Sequence, residues 1–135
     1  MTEQTFTIIK PDAMHHCAEI WCIVKISGFH IKKVKKIHLT LQQAQEFYAI
    51  HKERPFFKDL TEFMSSGECM VAILEKDNAV SDFRKLIGAT NPANAEAGTI
   101  RQIYGTPNSG HLNAIHGSDS LENAKIEIAI LFPEN

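Results

Sequence analysis

The stretch N-A-I-H-G-S-D-S, residues 113–120, sets a histidine between an apolar run and a glycine, followed by small residues that start helices. In that setting His116 can be a satisfied core residue, a metal ligand or a nucleophile held still by its surroundings. Glu127 bears on the choice. It lies near the edge of an apolar stripe formed by Leu121, Ala124, Ile128 and Leu131, where an ionised carboxylate is costly unless it is hydrogen-bonded. The nearest donor in the sequence is His116. A carboxylate that takes one ring N–H fixes the tautomer and leaves the other nitrogen as an outward lone pair, which is the form of imidazole that attacks electrophiles.

Three cations could serve such a nucleophile. Lys10 closes the first apolar run, and Arg84 and Arg101 flank a long stretch rich in Pro, Gly, Asn and Ser. Apart, they are solvated charges. Gathered beside His116 they would clamp phosphate, because phosphoryl transfer depends on positioning and charge neutralisation more than on covalent work by the protein. Thr90, before the Asn91-Pro92 turn, offers a hydroxyl and nearby amides to phosphate oxygens. No G-x-x-x-x-G-K-[ST] and no G-x-G-x-x-G occurs, which excludes a P-loop or a Rossmann nucleotide site.

Periodicity and chain breakers indicate the elements that must position these residues. Thr5 to Lys10 is β-branched and aromatic and stops at Pro11, which cannot donate to a ladder, so it reads as a strand. Ile20, Ile23, Val24 and Ser27 predict a helix over 18–27 closed by Gly28. Phe29 to Leu39 reads as a second strand whose apolar parity slips between Ile31, Val34 and Ile37, a slip that a bulge repairs. Thr40 caps a helix over 41–52, before Pro55. Leu60, Phe63 and Met64 mark a short helix over 57–65, and Cys69 to Leu74 a central strand. Asp77 or Asn78 caps a helix through Phe83 to Ile87 that Gly88 stops. Residues 90–110 read as mostly irregular backbone, and so long a loop in so small a chain is usually functional. Leu112 to Ile115 gives a fourth strand and 118–132 a last helix. This order predicts an α+β ferredoxin-like sandwich: a four-stranded, mostly antiparallel sheet with helices packed on one face.

The bulk properties set bounds. A chain of 135 residues suits one domain over 1–135 that buries about two thirds of its unfolded surface. With 14 Lys plus Arg against 16 Asp plus Glu, the formal charge of -2 creates no overall field that draws nucleic acid or anionic lipid. Cys17, Cys22 and Cys69 form no C-x-x-C pair, and an odd number suits core or half-buried thiols in a reducing compartment. The first residues lack the basic start and apolar run of a signal peptide, and no stretch approaches the ~20 apolar residues of a membrane span. A soluble, cytoplasmic protein without a membrane partner is expected.

K-P-D at 10–12, H-K-E-R-P-F-F at 51–57, M-S-S-G at 64–67, L-I-G-A-T-N-P at 86–92, G-T-I-R at 98–101 and N-A-I-H-G-S-D-S at 113–120 give a further reading. Together, and in this order over nearly the whole chain, they closely resemble nucleoside diphosphate kinases. The resemblance implies a ping-pong kinase in which His116 takes the γ-phosphate of a nucleoside triphosphate such as ATP and passes it to a nucleoside diphosphate. By the same likeness Lys10, Arg84, Thr90 and Arg101 hold phosphates, Asn113 and Lys10 touch the ribose, and Phe56 lies on the base. Tyr48, Ser118 and Glu127 match positions that line the pocket and orient the histidine. Mg²⁺ is implied to arrive with the nucleotide rather than in a protein cage. A base held mainly by one aromatic face implies broad substrate use. A homo-oligomer is implied too, and the ending Phe132–Asn135, without the long tail that some members place between subunits, leaves hexamer and tetramer both open.

The chain departs from the family pattern in three places. A-M-H-H-C-A-E-I at 13–20 replaces a longer, glycine-containing turn, the loop 102–115 is longer than usual, and Glu68 stands where S-G-P is common. The longer loop bears on the phosphate pocket and on subunit packing. Two rival readings remain weaker. Lys32, Lys33, Lys35 and Lys36 could bind RNA on the second strand, but the aromatic stacking signature is missing and such lysines suit a solvated edge. His15, His16, His30 and Cys17 could hold a metal, but adjacent histidines on an extended segment point opposite ways and no ligand spacing recurs. Neither nucleic acid nor a protein-held metal is expected as a main partner.

Overall fold

A computed structural model describes residues 2–109 and 111–134. Strands β1 (Thr2–Ile9), β2 (His30–His38), β3 (Glu68–Asp77) and β4 (Ile115–Gly117) form one antiparallel sheet in the order β2-β3-β1-β4. Helices α1 (Cys17–Ile26), α2 (Leu41–Phe47), α3 (Phe57–Met64), α4 (Ala79–Ile87), α5 (Ile100–Tyr104) and α6 (Leu121–Leu131) complete the α+β ferredoxin-like fold.

Helices cover both faces of the sheet, not one as the element order suggested. The reason lies in β1, where Thr5 through Ile9 are all buried, so side chains of both parities need a cover. Phe6, Ile8, Val71 and Ile73 meet Phe47, Leu60, Met64, Ile128 and Leu131 from α2, α3 and α6. On the other side Ile9, Ala72 and Leu74 meet Ile20 and Val24 from α1, Phe83 and Ile87 from α4, and Ile100 from α5.

The edge strand β2 carries the lysines. Its register shifts between Ile31 and Lys33, the bulge that the parity slip required. Lys32, Lys35 and Lys36 stand 3.8, 3.6 and 3.9 Å from Glu75, Glu134 and Glu68, exposed pairs that add little stability but discourage edge pairing.

Other elements differ from their sequence readings in instructive ways. Thr40 forms a full capping box with Gln43, yet α2 ends at Phe47 and a 3₁₀ turn, Ala49–His51, takes the place of its expected last turns. Asn78 starts α4 through a left-handed φ of 56° and makes no side-chain capping bond. Residues 90–110 hold a 3₁₀ turn at Pro92–Asn94 and the five-residue α5, which is too short to show an apolar period. His15 and His16 lie in a 3₁₀ turn, Pro11–His16, with ring centroids 4.1 Å apart, instead of diverging along an extended segment. Cys69 is buried and Cys17 half-buried, but Cys22 is exposed. Among the described residues no helix is long and apolar enough to cross a membrane.

Candidate active site

The fourth strand begins later than its apolar run suggests, and this places His116 at the middle of β4, paired with Ile8 of β1. Ala114, just before it, has φ of 75° and cannot continue a ladder. A γ-turn closes around it, with Ile115 N–H donating to the Asn113 carbonyl at 2.9 Å. A left-handed alanine is strained, and such strain persists where the surroundings over-determine it.

Past His116, Gly117 has a packing role. A Cβ there would lie 2.8 Å from Phe83 Cδ2 and 3.0 Å from Ile87 Cδ1. Only glycine therefore lets α4 press against β4, and α4 carries Arg84. Helix α6 starts at Leu121, with Ser120 accepting the Asn123 amide at 3.0 Å, so Ser118 sits in the connection and not in the helix.

The imidazole is held from several sides. His116 Nε2 lies 3.0 Å from Glu127 Oε1, and Ser118 Oγ donates to the same oxygen at 2.6 Å. A carboxylate oxygen that already receives a hydroxyl proton is an acceptor, so Nε2 carries the ring N–H and Nδ1 keeps the lone pair. Phe6, Phe47 and Tyr48 surround the ring at centroid distances of 6.2, 5.4 and 6.4 Å.

His116 and Glu127 line a cleft with about 300 Å³ of room, and Lys10, Tyr48, Phe56, Arg84, Thr90, Arg101 and Asn113 line it too. Of the residues that the resemblance assigned to the kinase site, Ser118 alone is not on the wall, and it reaches the site through Glu127. His51, Asp119 and Asn123 also line the cleft without having been singled out. Phe56, half exposed, offers an open aromatic surface and touches the His51 ring at 5.6 Å.

Two of the cations, Lys10 and Arg101, are buried, and burial sets their chemistry, whereas Arg84 is exposed. Lys10 Nζ donates to Asn113 Oδ1 at 2.7 Å, and Asn113 Nδ2 donates to the Thr90 carbonyl at 2.9 Å. Burial, then the Arg101 charge, lowers Lys10 to about 7 against the opposing charge of Asp12. Arg101 spends Nε and Nη2 on the Ile115 carbonyl and Nη1 on the Gly88 carbonyl, which ties α5 to the strand that carries His116. Burial, then the charge of Arg84, brings Arg101 down to about 10. Tyr48 is pushed above the ordinary phenol range by burial and by Glu127. Its hydroxyl is buried without a hydrogen-bond partner among the described residues, a donor suited to an oxygen that a ligand would bring.

Two further residues that shape this site, Asp12 and Gly117, escaped the sequence reading. Asp12 Oδ2 accepts the Ala114 amide at 3.1 Å across 102 positions of sequence; its only signal is its place in K-P-D. Gly117 reads as a turn residue, and only the coordinates reveal the close approach of α4. Among the described residues no group of three or more His, Cys, Asp or Glu side chains could hold a metal ion.

Fold and cleft together define an α+β protein with a cation-lined pocket around an anchored imidazole, a form suited to phosphate-bearing ligands. The nucleoside diphosphate kinase family model matches residues 3–135. The chain is 53% identical to a nucleoside diphosphate kinase of Chlorobaculum tepidum over 132 residues, 96% of this chain and 93% of the relative. With the enzyme of that name from Phenylobacterium zucineum it shares 50% over 137 residues, 100% and 97% of the two chains. Among solved structures, the Aquifex aeolicus nucleoside diphosphate kinase superposes with a TM-score of 0.92 at 42% identity, covering 98% of this chain and 96% of that one. A Halobacterium salinarum nucleoside diphosphate kinase in complex with CDP gives 0.91 at 33%, covering 98% and 88%. The chain belongs to the nucleoside diphosphate kinase family and is a phosphotransferase of nucleotide metabolism.

Proposed function

We propose that residues 1–135 act as one kinase domain that moves the γ-phosphate of ATP to nucleoside diphosphates in two half-reactions. His116 carries the phosphoryl group between them. The observation that supports this most is the asymmetry of its ring: Nε2 is held by Glu127, so Nδ1 is the basic nitrogen, on a side chain that shares one cleft with Lys10, Arg84 and Arg101.

In the first half-reaction the Nδ1 lone pair forms a bond to the γ-phosphorus as the bond from that phosphorus to the β–γ bridging oxygen breaks. The electron pair leaves with the nucleoside diphosphate. Glu127 keeps accepting from Nε2–H and offsets the positive charge that grows on the ring. Arg84, Arg101, Thr90 and Lys10 hold the phosphates, Lys10 and Asn113 also contact the ribose, and the Tyr48 hydroxyl donates at the cleft wall. In the second half-reaction a terminal oxygen of another nucleoside diphosphate attacks phosphorus and the Nδ1–P bond breaks, which restores the imidazole.

Lys10, Arg84, Arg101 and Asn113 on the cleft wall are donors that fit phosphate oxygens, and Mg²⁺ would arrive on the nucleotide and would neutralise phosphate charge there. Phe56 presents one aromatic surface to the base, which favours broad base use, and the CDP complex of the Halobacterium salinarum relative accords with that. The same reading places the enzyme in the cytoplasm as a homo-oligomer, hexamer or tetramer.

Incubation with γ-labelled ATP tests the central step. The wild type should take up label that survives alkali and is lost in acid, and His116→Ala should take up none. Equal labelling of both proteins would end the assignment of His116.

A further inference from the structure

A half-buried carboxylate stands behind the turn that leads to His116, and no step above uses it. Asp12 Oδ2 accepts the Ala114 amide, while Oδ1 is buried with no hydrogen-bond partner among the described residues. The same alanine is gripped through its carbonyl, which accepts from Lys10 N–H at 2.9 Å. Holding one amide needs only a neutral acceptor. An anion placed there with one oxygen unbonded is costly, so its charge calls for a reason beyond the hydrogen bond.

The reason lies in the neighbouring charges. Lys10 is buried close to Arg101, whose charge opposes the ammonium, and Asp12 is the anion that favours it. The charges of Lys10, whose own amide grips the same Ala114, and of His111 act on the Asp12 carboxylate as well. Burial raises Asp12 above the ordinary carboxylate range, and the Ala114 amide, Lys10 and His111 pull it back.

We propose that Asp12 is a positioning residue of the kinase site: it clamps the left-handed turn that sets Asn113 on Lys10 and leads into His116, and its charge balances Arg101 at the Lys10 ammonium. This rests on the roles of His116 and Lys10 given under the proposed function. Asp12 does not line the cleft, so it acts through these two partners. The turn and the charge are separable by substitution.

Wild type, Asp12→Asn and Asp12→Ala are compared for single-turnover labelling with γ-labelled ATP, for kcat/KM against pH, and for melting temperature. Asp12→Asn keeps an acceptor for Ala114 and loses the anion. Its labelling rate at about pH 6 should stay within about threefold of wild type, while the alkaline limb of kcat/KM moves to lower pH because Lys10 gives up its proton sooner. Asp12→Ala loses both functions, and should show the same limb shift with labelling at least about tenfold slower at about pH 6.

A role in folding alone would lower the melting temperature of the variants and leave the limb where it is. An Asp12→Asn limb at the wild-type position overturns the charge role, and a folded Asp12→Ala that labels at the wild-type rate overturns the clamp. Should Asp12→Ala not fold, the limb of Asp12→Asn decides. A wild type that takes no label on His116 sinks the kinase assignment and this inference with it, whereas normal wild-type labelling with indifferent Asp12 variants sinks the inference alone.

Discussion

Among the described residues two histidine–glutamate pairs have almost equal length and little else in common. His116 Nε2 meets Glu127 at 3.0 Å with side chains 18% and 15% exposed, whereas His16 Nδ1 meets Glu19 at 2.9 Å with side chains 37% and 55% exposed. The first pair spans β4 and α6 within a wall of aromatic rings and shares its cleft with three cations. The second lies within one turn of chain, where the His16 ring sits tilted against those of His15 and Tyr104. A short contact to a carboxylate is therefore common to both pairs and cannot by itself single out the nucleophile proposed at His116. What sets the first pair apart is its burial and the cation-lined cleft that its ring shares.

Removing a cation should break that contrast most sharply. Lys10→Met takes away a buried charge that holds phosphate and ribose in the proposed mechanism, and kcat/KM should fall by about 10² to 10³. Stability should move the other way. Lys10 titrates at about 7 in the fold, below the 10.5 of an ordinary lysine, so the unfolded chain binds more protons between those values and wild-type stability rises with pH across that window. Below about pH 7 both states are protonated and the full cost of burying the ammonium is felt. Lys10→Met should melt higher than wild type at about pH 6, with the gap closing toward about pH 10. A gap that does not change with pH in thermal melts would contradict the burial assigned to Lys10.

Glu127→Gln has the next largest effect. The amide oxygen can still accept from Ser118 Oγ and from Nε2–H, so the ring stays aimed, but it cannot offset the charge that grows on the imidazole. Turnover should drop by roughly tenfold to a hundredfold, with little change in melting temperature. A large loss of stability with wild-type turnover would make Glu127 a packing residue and erase the difference between the two pairs.

Much of the site could be read from the chain because the residues that line it are chemically loud. A histidine before glycine, a carboxylate on the rim of an apolar helix face, and a lysine at a strand end each attract notice where they stand, and the fold brings these side chains to one cleft. What could not be read was carried by quiet residues or by distance. Alanine gives no sign that position 114 is left-handed, and the bond from Asp12 that supports it joins opposite ends of the sequence. The second covered face of the sheet was written in the unbroken run Thr5–Ile9, where threonines obscure an otherwise apolar pattern. The close approach of the His15 and His16 rings needed a 3₁₀ turn, and nothing in A-M-H-H-C separates that from extended backbone.

The smallest expected effect is the one that tests the contrast from its other side. Glu19→Gln breaks an exposed ion pair between neighbours on one turn, a kind of contact worth about 0 to 1 kcal/mol that salt screens readily. His16 keeps its ring contacts with His15 and Tyr104, which do not depend on the glutamate. kcat/KM should therefore stay within about twofold of wild type and the melting temperature should barely move, at low and at high salt alike. The assay is the same coupled phosphoryl-transfer measurement used for Glu127→Gln, so the two glutamates are read on one scale. If Glu19→Gln lowered turnover as far as Glu127→Gln does, burial and the cation wall could not be what distinguishes His116. The turn that holds His16 would then have to act on catalysis through α5, since Tyr104, against which His16 lies, is on the same helix as Arg101.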